Sequence, residues 1–187
     1  MGKEIEAKMK VADLESVRAK LRDVKATRVG TELETNTFYD TPQLKLRQAD
    51  SGLRIRVAIL ENGDRRCTIT FKGKLQPGSI LKTREEIEFK VDDAKSADEL
   101  FQRLGYSAML AFEKRRETWN FADCEIALDE MPYLGTYVEI EGPSDEAVFA
   151  ARKSLNLADL PLISRGYISL LAEYLFEHKI NERHVRL

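Results

Sequence analysis

The sequence predicts an α+β protein: a closed eight-stranded antiparallel β-barrel, a tunnel with a charged interior and helices packed on the outside. Three observations predict it. Segment after segment alternates apolar and charged residues with the two-residue period of a strand. The charged positions are dense in Glu, Lys and Arg where Thr, Ser or Gln would serve a solvated face, and their signs cluster by strand. Around eight strands share the chain with several amphipathic helices, which need apolar sheet surface to cover. An ordinary half-exposed sheet would leave all these charges in water. The three observations favour the inverted arrangement instead, in which closure also removes exposed strand edges.

The elements follow in order. From Glu4 to Val11, Ile5, Ala7, Met9 and Val11 share one face while Glu4, Glu6, Lys8 and Lys10 share the other. Asp13 is placed to cap a helix that runs to about Asp23. Asn36 to Asp40 reads as a short strand ended by Asp40-Thr41-Pro42. Gly52 to Leu60 sets Leu53, Ile55, Val57 and Ile59 against Arg54 and Arg56. A hairpin turn at Glu61-Asn62-Gly63-Asp64 follows, since Asn and Gly both tolerate positive φ. Its return strand sets Cys67, Ile69 and Phe71 against Thr68, Thr70 and Lys72, and further strands are expected near 80–91, 112–120, 124–130 and 136–141.

Ser96-Ala97-Asp98-Glu99 reads as a capping box, opening a helix with Leu100, Phe101 and Leu104 as its stripe and Gly105 as its stop. Ser144 caps another, with Asp145 and Glu146 at its positive end. The last helix is expected from about Ser164 to Glu177, burying Leu170, Leu171, Tyr174 and Leu175. The polar residues 178–187 are expected to fray, within a single domain spanning 1–187. A weak repeat links Glu4-x-Glu6-x-Lys8 to Glu86-x-Glu88-x-Lys90, each followed by a helix and later by a basic pair, Arg54/Arg56 and Lys114/Arg116. It suggests two similar halves in one sheet.

Composition removes several functions. The 187 residues carry 30 basic and 32 acidic side chains, a net charge of −2, which disfavours a uniformly basic nucleic-acid binder. Cys67 and Cys124 lie far apart and read as small core residues, as in a reducing compartment. Both histidines, His178 and His184, fall in the tail, which argues against histidine catalysis and zinc clusters. No run has the length and character of a signal peptide or a membrane span, so a cytoplasmic protein without membrane partners is expected.

The inward positions sort by chemistry. Glu4, Glu6, Glu86, Glu88, Asp129, Glu139 and Glu141 are acidic; Lys8, Arg54, Arg56, Lys72, Arg84, Lys114 and Arg116 are basic. Oxygen-only ligands at i and i+2 of one strand suit a hard cation such as Mg²⁺ or Mn²⁺. The basic set suits a triphosphate, with Arg for forked contacts and Lys as a point charge. No GxxxxGK[ST] or GxGxxG loop offers another phosphate cradle.

These residues resemble a known family. Glu4-x-Glu6-x-Lys8 is similar to the ExExK signature of the CYTH, or triphosphate tunnel metalloenzyme, superfamily. Supporting segments come in the family's order over residues 3–175: Phe38-Tyr39-Asp40-Thr41-Pro42, Leu53-Arg54-Ile55-Arg56, Thr70-Phe71-Lys72-Gly73, Arg84-x-Glu86-x-Glu88, Lys114-x-Arg116, Leu128-Asp129 with Leu134-Gly135, and Val138-Glu139-Ile140-Glu141.

The resemblance implies the eight-stranded tunnel and a divalent metal held by Glu4, Glu6, Glu139 and Glu141 with Asp129 nearby. It implies that Lys8, Arg54, Arg56, Lys72, Arg84, Lys114 and Arg116 bind the triphosphate, with Lys8, Arg54, Arg56, Lys114 and Arg116 catalytic. Glu86 and Glu88 would orient these bases or join a second metal. Gly166-Tyr167 stands where the family often has Ser-Tyr, so no hydroxyl is supplied there, and Arg165 before it reads as a structural cap in preference to a residue that reaches the tunnel mouth. The branch most resembled is that of the class IV adenylyl cyclases, implying ATP converted to cyclic AMP and pyrophosphate. A triphosphatase acting on inorganic or thiamine triphosphate would need nearly the same residues, and a non-catalytic polyphosphate or nucleotide sensor is the third reading. The family can form homodimers.

Overall fold

The computed structural model describes residues 2–187 apart from Pro77, Ser79 and Ile80. Its strands are β1 (Gly2–Val11), β2 (Thr27–Asp40), β3 (Gly52–Leu60), β4 (Arg65–Leu75), β5 (Lys82–Lys90), β6 (Ser107–Phe121), β7 (Cys124–Met131), β8 (Gly135–Glu141) and β9 (His184–Val185). Its helices are α1 (Glu15–Asp23), α2 (Lys45–Gln48), α3 (Ala94–Arg103), α4 (Asp145–Ser154) and α5 (Tyr167–Glu177). Pairing runs β2-β3-β4-β5-β1-β8-β7-β6, and β6 pairs back onto β2. The result is the expected closed eight-stranded antiparallel barrel.

Renumbering each strand n as n+4 reproduces the whole pairing map. β1–β5 and β2–β6 map onto themselves, β2–β3 onto β6–β7, β3–β4 onto β7–β8, and β4–β5 onto β8–β1. The two-half reading of the repeat therefore holds for topology. It fails for the basic pairs: Arg54 and Arg56 lie on β3, whose counterpart is β7, whereas Lys114 and Arg116 lie on β6, the counterpart of β2.

The outward face of β1, β7 and β8 is apolar: Ile5, Ala7, Met9, Ile126, Leu128, Val138 and Ile140 pack with Val17 and Leu21 of α1 and Val148 and Ala151 of α4. α3 covers Ile55 and Ile69 with Ala97 and Phe101. Cys67 and Cys124 are buried and free, as expected. Gly142 lets β8 turn tightly into α4, since a Cβ there would sit 2.7 Å from the Cys124 sulfur.

Helix α5 departs from the expected outer layer. Its Tyr167, Leu171 and Leu175 pack on Leu110, Phe112, Met131 and Tyr137. Those four share the face of Lys114, Asp129 and Glu139, two residues per repeat along their strands, so α5 covers the lumen side at one end of the barrel. The helix starts at Tyr167, three residues later than expected, and Leu170 and Tyr174 are only half-buried. Residues 184–185, expected to fray, pair in parallel with β6, and Val185 is fully buried in the same cluster. Val185, with Ile180 packed partly buried on the same cluster, anchors a mostly polar segment.

Other differences are local. β2 begins at Thr27 instead of Asn36, over a stretch with only Val29 and Leu33 as apolar markers, and β6 at Ser107 instead of 112, where Ala108 to Ala111 are apolar without alternation. The short α2 was not expected. α3 is capped by Asp93, which accepts from the backbone N–H groups of Lys95 and Ser96, so Ser96 lies inside the helix and Leu100 and Leu104 are exposed. In the β3–β4 turn only Gly63 has positive φ, at 85°; Asn62 instead accepts from the Asp64 N–H at 3.0 Å. The start of the strand expected over 80–91 falls partly on Ile80, outside the described residues. No helix among the described residues is long and apolar enough to cross a membrane.

Candidate active site

The lumen holds a cavity of about 1310 Å³ lined by Glu4, Glu6 and Lys8 of β1, Arg54 and Arg56 of β3, Lys72 of β4, Arg84, Glu86 and Glu88 of β5, Lys114 and Arg116 of β6, and Glu139 and Glu141 of β8. The expected side chains are thus brought together from across the chain. Asp129 is the exception: it is fully buried behind Arg116 and does not line the cavity.

Register explains how so many charges coexist. Six directly opposed pairs carry opposite signs: Glu4 with Arg84, Glu6 with Lys82, Lys8 with Glu139, Lys72 with Glu86, Arg116 with Asp129, and Lys114 with Glu34. Cross-strand neighbours have Cβ atoms about 5 Å apart, close enough for ion pairs. Each pairing offsets part of the several kcal/mol that an isolated ion would lose on burial.

Two clusters result. The first centres on Glu34, which is fully buried. Its carboxylate meets Lys114 Nζ at 3.3 Å and Arg56 Nε at 3.4 Å and accepts from Asn36 Nδ2 at 2.9 Å. Burial would push Glu34 upward, but Lys114, Arg56, Arg116 and Arg54 outweigh it and hold the group well below the usual carboxylate range. Alongside, Asp129 accepts from Arg116 Nε at 2.8 Å and Nη2 at 2.6 Å and from the Tyr167 hydroxyl at 2.8 Å. Burial alone would favour neutral Arg116; Asp129 and Glu139 raise it well above its ordinary value. Lys114 moves the other way, lowered by burial and by Arg116.

The second cluster is acidic. Glu141 lies opposite Glu6 on one side and Glu125 on the other. Burial, then Glu4 and Glu6, push Glu141 up to about 7. Glu4 Oε1 accepts from Lys72 at 2.5 Å, but its Oε2 is buried without a hydrogen-bond partner. Glu6 pairs with Lys82, and Glu139 with Arg116 and, at 3.1 Å, with Lys8. As these side chains stand, no three acidic groups among the described residues close on one point. The donor set nevertheless fits a hard cation: carboxylates face one another here, and one buried carboxylate oxygen is unpaired.

The basic wall also has spare capacity. Arg54 Nε and Arg84 Nε are buried without partners. Burial and the neighbouring Arg56 lower Arg54 to about 10. Unmet donors facing a cavity are an anion's requirement.

Sequence reasoning missed Glu34, Lys82 and the part played by Tyr167. Lys82 was legible in principle, two residues before Arg84 on the same face. Glu34 stood in a stretch not recognised as strand. Tyr167 required knowing that α5 covers the lumen; Lys8 Nζ sits 3.9 Å from its ring centre. Arg165 does not cap α5, whose N-cap Gly166 has no side-chain partner; it lines the cavity, pairs with Glu173 at 2.6 Å, and its carbonyl accepts from Lys8 at 3.1 Å.

A barrel whose charged lumen joins an acidic cluster to a basic wall is the architecture the ExExK motif implied, and the comparison with known proteins agrees. Residues 2–167 match the CYTH domain, and the chain belongs to that family. A Methanocaldococcus jannaschii protein named "Putative adenylate cyclase MJ0240" is 28% identical over 176 residues, 89% of this chain and 97% of its own. The structure of the PH1819 protein of Pyrococcus horikoshii superposes with a TM-score of 0.80 at 29% identity, covering 91% of this chain and 99% of that one. The Hippeastrum protein HpAC1, for which a dominant triphosphatase activity is described, shares the fold at a TM-score of 0.69 and 17% identity, covering 93% and 96%.

Proposed function

We propose that the protein is a divalent-metal-dependent enzyme acting on a triphosphate inside the barrel, with conversion of ATP to cyclic AMP and pyrophosphate as its reaction. The observation that carries the triphosphate reading is the junction of unmet Arg54 and Arg84 donors with the Glu4–Glu6–Glu141 cluster in one cavity. Arg54, Arg56, Arg84 and Lys114 would hold the polyphosphate, Arg by forked hydrogen bonds and Lys as a point charge. Glu4, Glu6, Glu139 and Glu141 would hold Mg²⁺ or Mn²⁺, which supplies charge stabilisation at the reacting phosphoryl group. Asp129 and Glu34, each buried against the cations, fix Arg116 and Lys114 in place, so the wall meets developing charge without reorganising. In the cyclase reaction the ribose 3′-hydroxyl gives up its proton to solvent, its oxygen bonds to the α-phosphorus, the bond from that phosphorus to the α,β-bridging oxygen breaks, and pyrophosphate leaves with the electron pair.

The name of the M. jannaschii relative favours the cyclase; the activity described for the Hippeastrum protein favours hydrolysis of a terminal phosphate by water. One experiment separates them. The protein is incubated with Mg²⁺ or Mn²⁺ and ATP, and separately with inorganic triphosphate, and the products are resolved. Cyclic AMP with pyrophosphate is expected. Orthophosphate without cyclic AMP would overturn the cyclase in favour of a triphosphatase, and binding without turnover would make the protein a sensor.

A further inference from the structure

The last part of β5 keeps a free edge although the barrel is closed. β1 accompanies β5 only as far as the Gly2–Glu86 pair, so residues 87–90 have β4 on one side and, among the described residues, no strand on the other. Backbone groups of successive residues point to opposite sides of a strand. The Val91 N–H donates to the Cys67 carbonyl of β4 at 3.0 Å, so Phe89 and Ile87 also turn to β4. The N–H and C=O groups of Glu88 and Lys90 therefore face the open side. Such an edge invites strand addition unless it is covered or blunted. Here its outer face is apolar and uncovered, with Ile87 42% and Phe89 53% exposed.

A missing helix explains the exposure. Under the renumbering of n as n+4, α1 after β1 corresponds to α3 after β5, but α4 after β8 has no counterpart after β4 among the described residues. α1 and α4 together cover β1 and β8, whereas α3 alone covers Ile55 and Ile69 of β3 and β4 and stops short of β5. Asp98 of α3 accepts from the Tyr39 hydroxyl of β2 at 2.7 Å, so Leu100, about 200° further round the helix, turns towards β5. Leu100 and Leu104 are exposed there, beside Phe89.

We propose that this edge seats a second copy of the chain, with β5 pairing antiparallel to β5 of the second copy about a two-fold axis and Phe89 opposite Phe89. The edge is self-complementary in that register. Glu88 stands opposite Lys90 of the second copy, Lys90 opposite its Glu88, and Ile87 opposite its Val91. The outward backbone groups of Glu88 and Lys90 then form hydrogen-bonded pairs, and Phe89 falls at a non-hydrogen-bonded pair, where side chains approach most closely. Facing aromatic rings and opposite charges are favourable cross-strand pairs. The two neighbouring two-fold registers would set Glu88 against Glu88 or Lys90 against Lys90. The interface is isologous, so each copy gains what it gives. Leu100 and Leu104 of both copies flank the merged apolar strip and widen it towards the roughly 800 Å² per partner of a standard interface. Glu88 also lines the cavity, so Lys90 of the second copy would stand at the rim of the lumen.

The test uses the full chain. Sedimentation equilibrium over a dilution series is expected to show a monomer–dimer equilibrium. Phe89→Asp, at an exposed position where the fold has little to lose, puts like charges at the axis and should raise the dimer dissociation constant at least about thirtyfold, the scale of a lost hot spot. Lys90→Glu turns both opposite-charge pairs into like-charge pairs and should raise it about tenfold. Phe89→Cys reads the register. Cα atoms of a non-hydrogen-bonded pair lie about 4.5 Å apart, within disulfide reach, so mild oxidation should link two chains. Cys67 and Cys124 are buried and do not compete. Ile59→Cys, half-exposed on β3 and away from the edge, should not link. A monomer at every concentration overturns the proposal, as does a dimer that Phe89→Asp leaves intact. Linking of Ile59→Cys as readily as Phe89→Cys also overturns it.

Discussion

The two charged clusters of the lumen are built from the same residue types and behave oppositely. Around Glu34 and Asp129, each carboxylate is enclosed by cations from neighbouring strands, and the group is closed to solvent. Around Glu141, register sets acid against acid, Glu6 on one side and Glu125 on the other, and Glu141 is pushed up to about 7. In the first cluster every carboxylate has cations within ion-pair distance, although Glu34 Oε1 lacks a hydrogen-bond partner, and the cluster acts as scaffold. The second has an unmet demand for positive charge, which marks it as the place for an exchangeable cation. Total charge does not separate scaffold from site; the set of neighbours that strand pairing gathers around each carboxylate does.

The strongest way to break this comparison is at Glu34. Glu34→Ala removes the carboxylate that Lys114 and Arg56 face in a buried setting, leaving Lys114 only Asp129, and a loss of about 3–5 kcal/mol is expected in urea denaturation. A loss under 1 kcal/mol would show that the cluster is not internally compensated. At the acidic cluster the expected effect falls on turnover: Glu4→Gln should lower metal-dependent activity by at least about 100-fold with an unchanged circular dichroism spectrum. Retained activity would remove Glu4 from the metal set. Tyr167→Phe deletes the hydroxyl that donates to Asp129, a bond worth about 1 kcal/mol, without opening a cavity. Its melting temperature should fall by a few degrees, roughly 2–4 °C for a domain of this size.

The smallest effect concerns pH, and there the two clusters should move in opposite directions. Glu141 is raised in the folded state, so its contribution to stability is complete below its unfolded value of about 4.3 and is lost as pH rises through about 7. Its exposed position at the barrel mouth screens part of that effect. Melting temperatures should therefore rise modestly from pH 8 to pH 6, and Glu141→Gln should flatten the slope. Glu34 is depressed, so its contribution is present above its unfolded value and is lost only as pH falls through its much lower folded value. A pH 6–8 slope that survives in Glu141→Gln would place its origin elsewhere.

Much of the barrel was legible because strand alternation is a local property. The inward and outward faces of β1, β3 and β8 follow from residues two apart, and Glu4, Arg54 and Glu139 could be placed on a charged face without coordinates. Glu34 was hidden because Thr27–Thr35 offers only Val29 and Leu33 as apolar markers, and its strand character comes from pairing with β3 and β6. The tail was hidden because few apolar residues hold it, Val185 and the partly buried Ile180. Asp129 was assigned correctly to the lumen face of its strand, yet Arg116 and Tyr167 cover it, and neither neighbour is near it in sequence.

The sequence by itself determined the inverted pattern, the oxygen-rich and guanidinium-rich chemistry, and the ExExK strand, because each depends on spacing within one segment. Only the tertiary structure decided which charges neutralise one another. Register brings Lys114 to Glu34 and Glu141 to Glu6 across gaps of tens of residues or more, and it laid α5 over the lumen. A charge's role depends on what stands about 5 Å across the sheet, and that neighbour is set by strand pairing.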